Sequence, residues 1–209
     1  MDSGQIISNL EYGDQFGYSE MFEWGELVNP QISKICKFVQ FSEKYPRAVI
    51  LARNTNNMIG VTSMMTSHVA SNPSEWPYKY LFNEYGDLFL EEKNIGVGEK
   101  TYDPVNEFSY MSTYEKTIYI PVENPQYDKE KEYTKRSLRN EWVKVTILGK
   151  AIVEDNGECV PGQYCTLYSG DDKQLYGTAV PYSGDENVKF YVLSRLSTHT
   201  ILIFISSKI

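Results

Sequence analysis

A mainly β fold, β-rich α+β with a sandwich or barrel body, is predicted here by three features of the sequence. Tyrosine dominates the aromatics, with 17 Tyr against 9 Phe and 3 Trp, a bias that suits sheets and wet interfaces, where one end of the ring packs and the other meets water. Short apolar runs recur between Gly, Asn, Asp and Pro breaks. Strict alternation appears at Val143, Val145 and Ile147, the period of a half-buried strand. With 41% apolar residues over 209 positions, the chain can build a core, which argues against disorder.

Along the chain, residues 1–17 read as a polar, glycine-interrupted leader with Ile6, Ile7 and Leu10 as its apolar anchors. Residues 18–24 (YSEMFEW) are amphipathic at a period that fits a strand or a short helical turn, and the strand is preferred. Three runs, Ile35 to Phe41, Arg47 to Ala52 and Met58 to Met64, are expected as consecutive strands of a meander within residues 18–69. Residues 70–140 are broken by Asn72-Pro73, Asp103-Pro104 and Asn124-Pro125, and are expected to form a protruding arm. Its strands, Gly86 to Glu91 and Lys116 to Val122, would pair as a hairpin, and Asp128 to Arg139 would form one short charged helix. Residues 141–209 are the expected β body. Trp142 to Val153 is its long strand, with Gly149 a site for a bulge or bend and Asp155-Asn156-Gly157 a turn. Strands are expected at Tyr164 to Tyr168, Gly177 to Val180, Val188 to Leu196 and Thr200 to Ser206.

The chemistry is bounded by what the residues exclude. A formal charge of −8 disfavours phosphate-backbone binding, so no nucleic-acid partner is expected. No apolar run reaches the roughly 18 residues of a membrane span, and the start Met1-Asp2-Ser3 lacks a secretory signal's basic and apolar regions. Cys36, Cys159 and Cys165 match no zinc spacing and read as buried or half-buried thiols, a Cys159–Cys165 bridge being the minority alternative. Ile95-Gly96-Val97-Gly98 lacks the residues of a phosphate cradle and reads as a turn. His68 and His199 adjoin neither a cysteine nor a carboxylate cluster, and read as structural. Carboxylates are dense at the amino end, where Asp2, Glu11, Asp14, Glu20, Glu23 and Glu26 precede residue 27. A solvated acidic face is the plain reading; a proton-sharing pair beside Phe22 and Trp24 is the alternative that could act as acid and base in amide cleavage. Lys135, Arg136 and Arg139 similarly read as a solvated face or as an anion or nucleotide-phosphate site.

In order along the chain stand YSEMFEW, Asn29-Pro30, Met58-Ile59-Gly60-Val61-Thr62-Ser63, Trp76, Tyr85-Gly86-Asp87, Trp142-Val143-Lys144-Val145 with Gly149, and Asp155-Asn156-Gly157-Glu158-Cys159. This series resembles the intramolecular-chaperone autoprotease family of phage tail spikes and pre-neck appendages. The resemblance implies the C-terminal domain of a longer spike chain that forms a homotrimer, aligns the upstream chains for β-helical folding and then cuts itself off as a single-turnover endopeptidase of acidic or glutamic type. The scissile bond would lie just before Asp2. Glu20 and Glu23 match the family motif, while Asp2, Glu11 and Asp14 are nominated by nearness to the cut. No cofactor would be required, with ATP entering only at product release. The domain would act in the host cytoplasm during assembly and be lost from the mature virion. The alternative is a trimeric receptor-binding or structural β domain without proteolysis.

Overall fold

The computed structural model describes residues 16–25, 34–184 and 187–206. They form β1 (Tyr18–Trp24), β2 (Phe38–Phe41), β3 (Ala48–Leu51), β4 (Met58–Thr62), β5 (His68–Ala70), β6 (Leu90–Asp103) and β7 (Phe108–Pro121). After these come β8 (Trp142–Glu154), β9 (Tyr164–Leu167), β10 (Ala179–Pro181), β11 (Phe190–Ser197) and β12 (Thr200–Ile205). Among the described residues helix is confined to two three-residue 3-10 turns, Arg136–Leu138 and Lys173–Leu175. The mainly β expectation therefore holds, whereas the charged helix over 128–139 shrinks to the first of these turns. Pro73–Tyr133 form one compact unit and the residues on either side form the other.

In the larger unit the strand pairings close on themselves. β1 runs antiparallel to β8, β8 to β4, β4 to β2 and β2 to β3, and β3 returns in parallel to β1 with Trp24 opposite Val49. A cycle of five strands leaves few open edges to cover. The simple meander is corrected here: β4 pairs with β2 and not with β3, because the free edge of β3 is taken by β1. Beyond the cycle a second run of strands, in the order β10-β9-β11-β12, attaches through β12 to the far half of β8, from Thr200 opposite Glu154 to Ile205 opposite Gly149.

β8 thus belongs to both sheets, and its backbone turns at Gly149, where φ is +91°. The amide of Gly17, just before β1, donates to the Lys150 carbonyl at 2.9 Å. A Cβ on Gly149 would lie 2.8 Å from Gly17 Cα, and one on Gly17 would overlap the Leu148 carbonyl oxygen. Two backbones cross here at a distance only glycine permits.

The core lies between the cycle and the second sheet. Phe38, Met58 and Val61 from the cycle meet Val153, Leu167, Phe190, Val192, Ile201, Ile203 and Ile205, with Phe38 and Phe190 stacked at 5.0 Å. Ile201, Ile203 and Ile205 are fully buried by the period-two alternation of β12. Each such side chain contributes about 1.5–3 kcal/mol. Where β8 ends, consecutive carboxylates form two ion pairs. Glu154 accepts from the buried Lys37 Nζ at 2.7 Å, and Lys37 also donates to Thr178 Oγ1 at 2.9 Å. Asp155, fully buried, takes a bidentate pair from Arg195 at 3.2 and 2.7 Å and accepts the Cys159 amide. Arg195 also donates to the carbonyls of Cys159, Ser197 and Thr198, and so ties two turns, the one at Cys159 and the one between β11 and β12, to the end of β8.

The smaller unit is built on one hairpin. β6 and β7 pair continuously from Leu90 opposite Pro121 to Asp103 opposite Phe108, a ladder of about 46 Å at ~3.3 Å per residue. The expected 86–91 strand overlaps β6 only at Leu90 and Glu91, and both strands run on far past the expected segments, to Asp103 in β6 and back to Phe108 in β7. Ile95-Gly96-Val97-Gly98, expected as a turn, sits mid-strand in β6. At the tip Asp103 accepts the amides of Val105 and Asn106 and the side chain of Asn106, bonds that hold its carboxyl below the usual range.

Gly149→Ala and Gly17→Ala should each lower unfolding free energy in urea by about 2 kcal/mol or more, because left-handed strain or a backbone clash leaves no relaxed geometry. Gly86→Ala, at φ +88° with nothing within 4 Å of a new Cβ, should cost only the ~1–2 kcal/mol of left-handed strain. Arg195→Met should cost about 3 kcal/mol or more by the same measurement, since it strands the buried Asp155 carboxylate.

Candidate functional site

The site begins where the N-terminal stretch enters the fold. Phe16 packs against Ile152, Leu196 and Leu202. Gly17 is held on both sides, its amide by the Lys150 carbonyl and its carbonyl by Thr66 Oγ1 at 2.8 Å. β1 then runs with β8 on one edge and β3 and β5 on the other. Ser19, buried, exchanges a 2.9 Å hydrogen bond with Thr146 Oγ1. Ser19, Thr146, Val61 and Phe38 are cross-strand neighbours in one buried row that connects β1 to the main core.

Alternation along β1 sorts its carboxylates. Glu20 shares a face with Tyr18 and Phe22 and stands opposite Val145; Glu23 lies on the other face with Ser19 and Met21 and is exposed. Residues three apart on a strand point to opposite sides, so within one chain Glu20 and Glu23 do not form a proton-sharing pair. Glu20 has another partner. Its Oε1 accepts from the Tyr18 hydroxyl at 3.2 Å, and the Tyr18 ring stacks on His68 at 5.4 Å, the two being opposed in the parallel β1–β5 pairing. Desolvation and the bond to Glu20 raise the Tyr18 phenol above its ordinary value, so it stays a proton donor. His68, read from sequence as structural, thus stacks on the tyrosine that binds Glu20; a three-residue strand such as β5 carries too little pattern to reveal this.

The other nominated residues separate. Asp2, Glu11 and Asp14 lie outside the described residues. Arg136 lies over the Trp142 indole at 4.1 Å and donates to the Ser71 carbonyl, while Arg139 lies over the same ring at 5.4 Å and pairs with Glu141 at 3.2 Å. Lys135 is exposed at the start of the 3-10 turn.

Neither Cys36 nor Cys165 is an activated nucleophile. Burial, followed by the charge of Glu154, pushes Cys36 up to about 11. The hydrogen bond with Cys159, followed by burial, raises Cys165 strongly. Cys159 and Cys165 are free. Among the described residues no group of His, Cys, Asp and Glu is placed to hold a metal ion, and no helix is long and apolar enough to cross a membrane. Among the described residues, the carboxylate of β1 that has a hydrogen-bonded proton donor is Glu20.

Three comparisons bear on this arrangement. The chain is 27% identical over 147 residues to the preneck appendage protein of Bacillus phage PZA, covering 70% of this chain and 15% of that protein. Its fold matches the crystal structure of the pre-mature bacteriophage phi29 gene product 12, with a TM-score of 0.58 at 19% identity over 91% of this chain and 21% of that one. It also matches the C-terminal fragment of the same gene product, with a TM-score of 0.56 at 20% identity over 90% of this chain and 99% of the fragment. The chain therefore spans a small part of the full-length proteins it is similar to, and nearly the whole of the fragment. The family model Peptidase_G2, described as an IMC autoproteolytic cleavage domain, matches residues 3–180. That match covers most of the chain, β1 and β8 included, and the chain belongs to the Peptidase_G2 family of intramolecular-chaperone autoproteolytic cleavage domains.

Proposed function

We propose that this chain is the self-cleaving intramolecular chaperone of a phage neck-appendage or tail-spike protein, and that it trimerises, aligns the upstream chains for β-helical folding and is then cut off just before Asp2. The observation that carries this reading is the Peptidase_G2 match from residue 3 to 180, joined to a fold in which the first strand is locked into a closed cycle immediately after the leader. Elongated β chains have weakly specified register and many non-local pairings, so a C-terminal domain that gathers three chains raises their effective concentration before zipping begins. Removing the domain afterwards makes the product kinetically trapped.

Glu20 is the leading carboxylate for the cut. As a general base it takes a proton from the attacking water, whose oxygen adds to the scissile carbonyl carbon; as the C–N bond breaks, the proton passes to the leaving amine. The Tyr18 hydroxyl, bonded to Glu20, keeps the carboxylate oriented. Glu23, Asp2, Glu11 and Asp14 are secondary candidates. The reaction draws on no cofactor, and a nucleotide enters, if anywhere, at product release. The work belongs in the host cytoplasm during assembly, before the mature particle. A trimer also suits the hairpin: an isolated two-stranded ladder is marginal in water, and one face of β6 is exposed along its whole length, as are Met111, Tyr114 and Tyr119 of β7.

In a longer chain carrying the upstream segment, Glu20→Gln should slow self-cleavage by about a hundredfold or more, the scale of a lost general base, while Glu23→Gln changes it by less than about tenfold. Intact mass against time reads both, and unchanged cleavage in Glu20→Gln removes that residue from the mechanism. Native mass measurement of the 209-residue chain should give three times the chain mass; a stable monomer would contradict the alignment role.

A further inference from the structure

Apart from the Glu20 face, the larger unit holds a cleft of about 240 Å³. Met21, Val143 and Trp142 line it together with Thr62, Ser63 and Met64, and Lys34 brings one cation to it while the stretch from 137 to 144 brings two, Arg139 and Lys144. Among the described residues no carboxylate lines the cleft, on a chain whose formal charge is −8. The cations are fixed in place. Lys34 Nζ donates to the Asn140 carbonyl at 2.7 Å and Lys144 Nζ to the Met64 carbonyl at 2.6 Å. An ammonium carries three donors, so each lysine keeps protons for a further acceptor, and Arg139 is anchored by Glu141 and Trp142. The nearby hydroxyls of Thr62 and Ser63 donate to the carbonyls of Lys37 and Met65, which leaves the cations to set the chemistry. Around the mouth are exposed apolar side chains, Met64 at 65%, Leu138 at 75% and Met65 at 39%.

We infer that this cleft binds an acidic peptide segment supplied in trans, one Glu or Asp side chain entering among the three cations while neighbouring apolar residues cover Met64 and Leu138. Charge complementarity selects the carboxylate, since a positive cluster on an acidic protein is where a negative group gains most. Size selects a side chain: pockets for whole small molecules run to roughly 300–1,000 Å³, and this cleft is smaller. The apolar rim selects a peptide over a bare anion, because inorganic phosphate would leave that surface wet.

Titration calorimetry of the 209-residue chain with an end-blocked Leu-Glu-Leu-Glu-Leu peptide, its Leu-Gln-Leu-Gln-Leu counterpart and inorganic phosphate tests this. The Glu peptide should bind about tenfold or more tightly than the Gln peptide, and should weaken several-fold between about 50 and about 300 mM salt. Lys34→Gln with Lys144→Gln should abolish the preference for Glu. Should that pair of changes unfold the chain, Leu138→Trp, at an exposed position, blocks the mouth and should weaken the Glu peptide with no change in melting temperature. Equal binding of the two peptides, tighter binding of phosphate than of peptide, no peptide binding at all, or unchanged affinity in both variants would overturn the inference.

Discussion

The larger unit depends on one backbone crossing. β8 carries two sheets on a single strand, and the switch between them occurs where Gly149, in a left-handed conformation, passes Gly17. A side chain at either position would push β1 from β8, and β1 is the strand that closes the cycle through β3. Close packing makes this a threshold more than a graded effect, since interiors lack room to absorb a methyl group. The placement of Phe16 and Gly17, the orientation of Glu20 and the burial of Ser19 all follow from this crossing.

Where β8 ends, charge does what apolar packing cannot. Glu154 and Asp155 are consecutive, so a strand sends them to opposite faces, and each meets its own cation. Ion pairs in such surroundings add little net stability over apolar contacts, yet tolerate no loss of one partner. Their effect is one of specification. Arg195 holds three carbonyls besides Asp155, and Lys37 joins the approach to β2 with Thr178. Polar networks of this kind fix which turn lies against which strand end.

Much of the larger unit was legible in the sequence because its strands are short apolar runs set between turn residues. Val143, Val145 and Ile147 announced β8, and Ile201, Ile203 and Ile205 gave β12 its buried face. Partner choice was not legible: the parallel seams of β1 with β3 and β5 join segments whose local pattern says nothing of each other. The expected helix over 128–139 rests on mixed charge in which only Glu132 and Arg136 form a favourable i,i+4 pair, worth about 0.2–0.5 kcal/mol. That is too little to offset helix nucleation once Trp142 engages both Arg136 and Arg139. Gly96 and Gly98 read as a turn, but the ladder to Glu115 and Thr113 outweighs their weak strand preference. At the candidate site, Glu20 was found by motif. Its separation from Glu23 follows from strand period alone, whereas the Tyr18–His68 stack required the fold.

The placement of β1 also has a mechanical side. A force drawn along this strand from its upstream end acts parallel to its axis, and β1 is bonded along one edge to β8 and along the other to β3 and β5. Hydrogen bonds loaded in that direction share the strain and must fail together, unlike a hairpin peeled open one pair at a time. Tension in an attached chain would therefore be borne by the whole cycle, and severing the leader would end the load while every bond of β1 stayed in place.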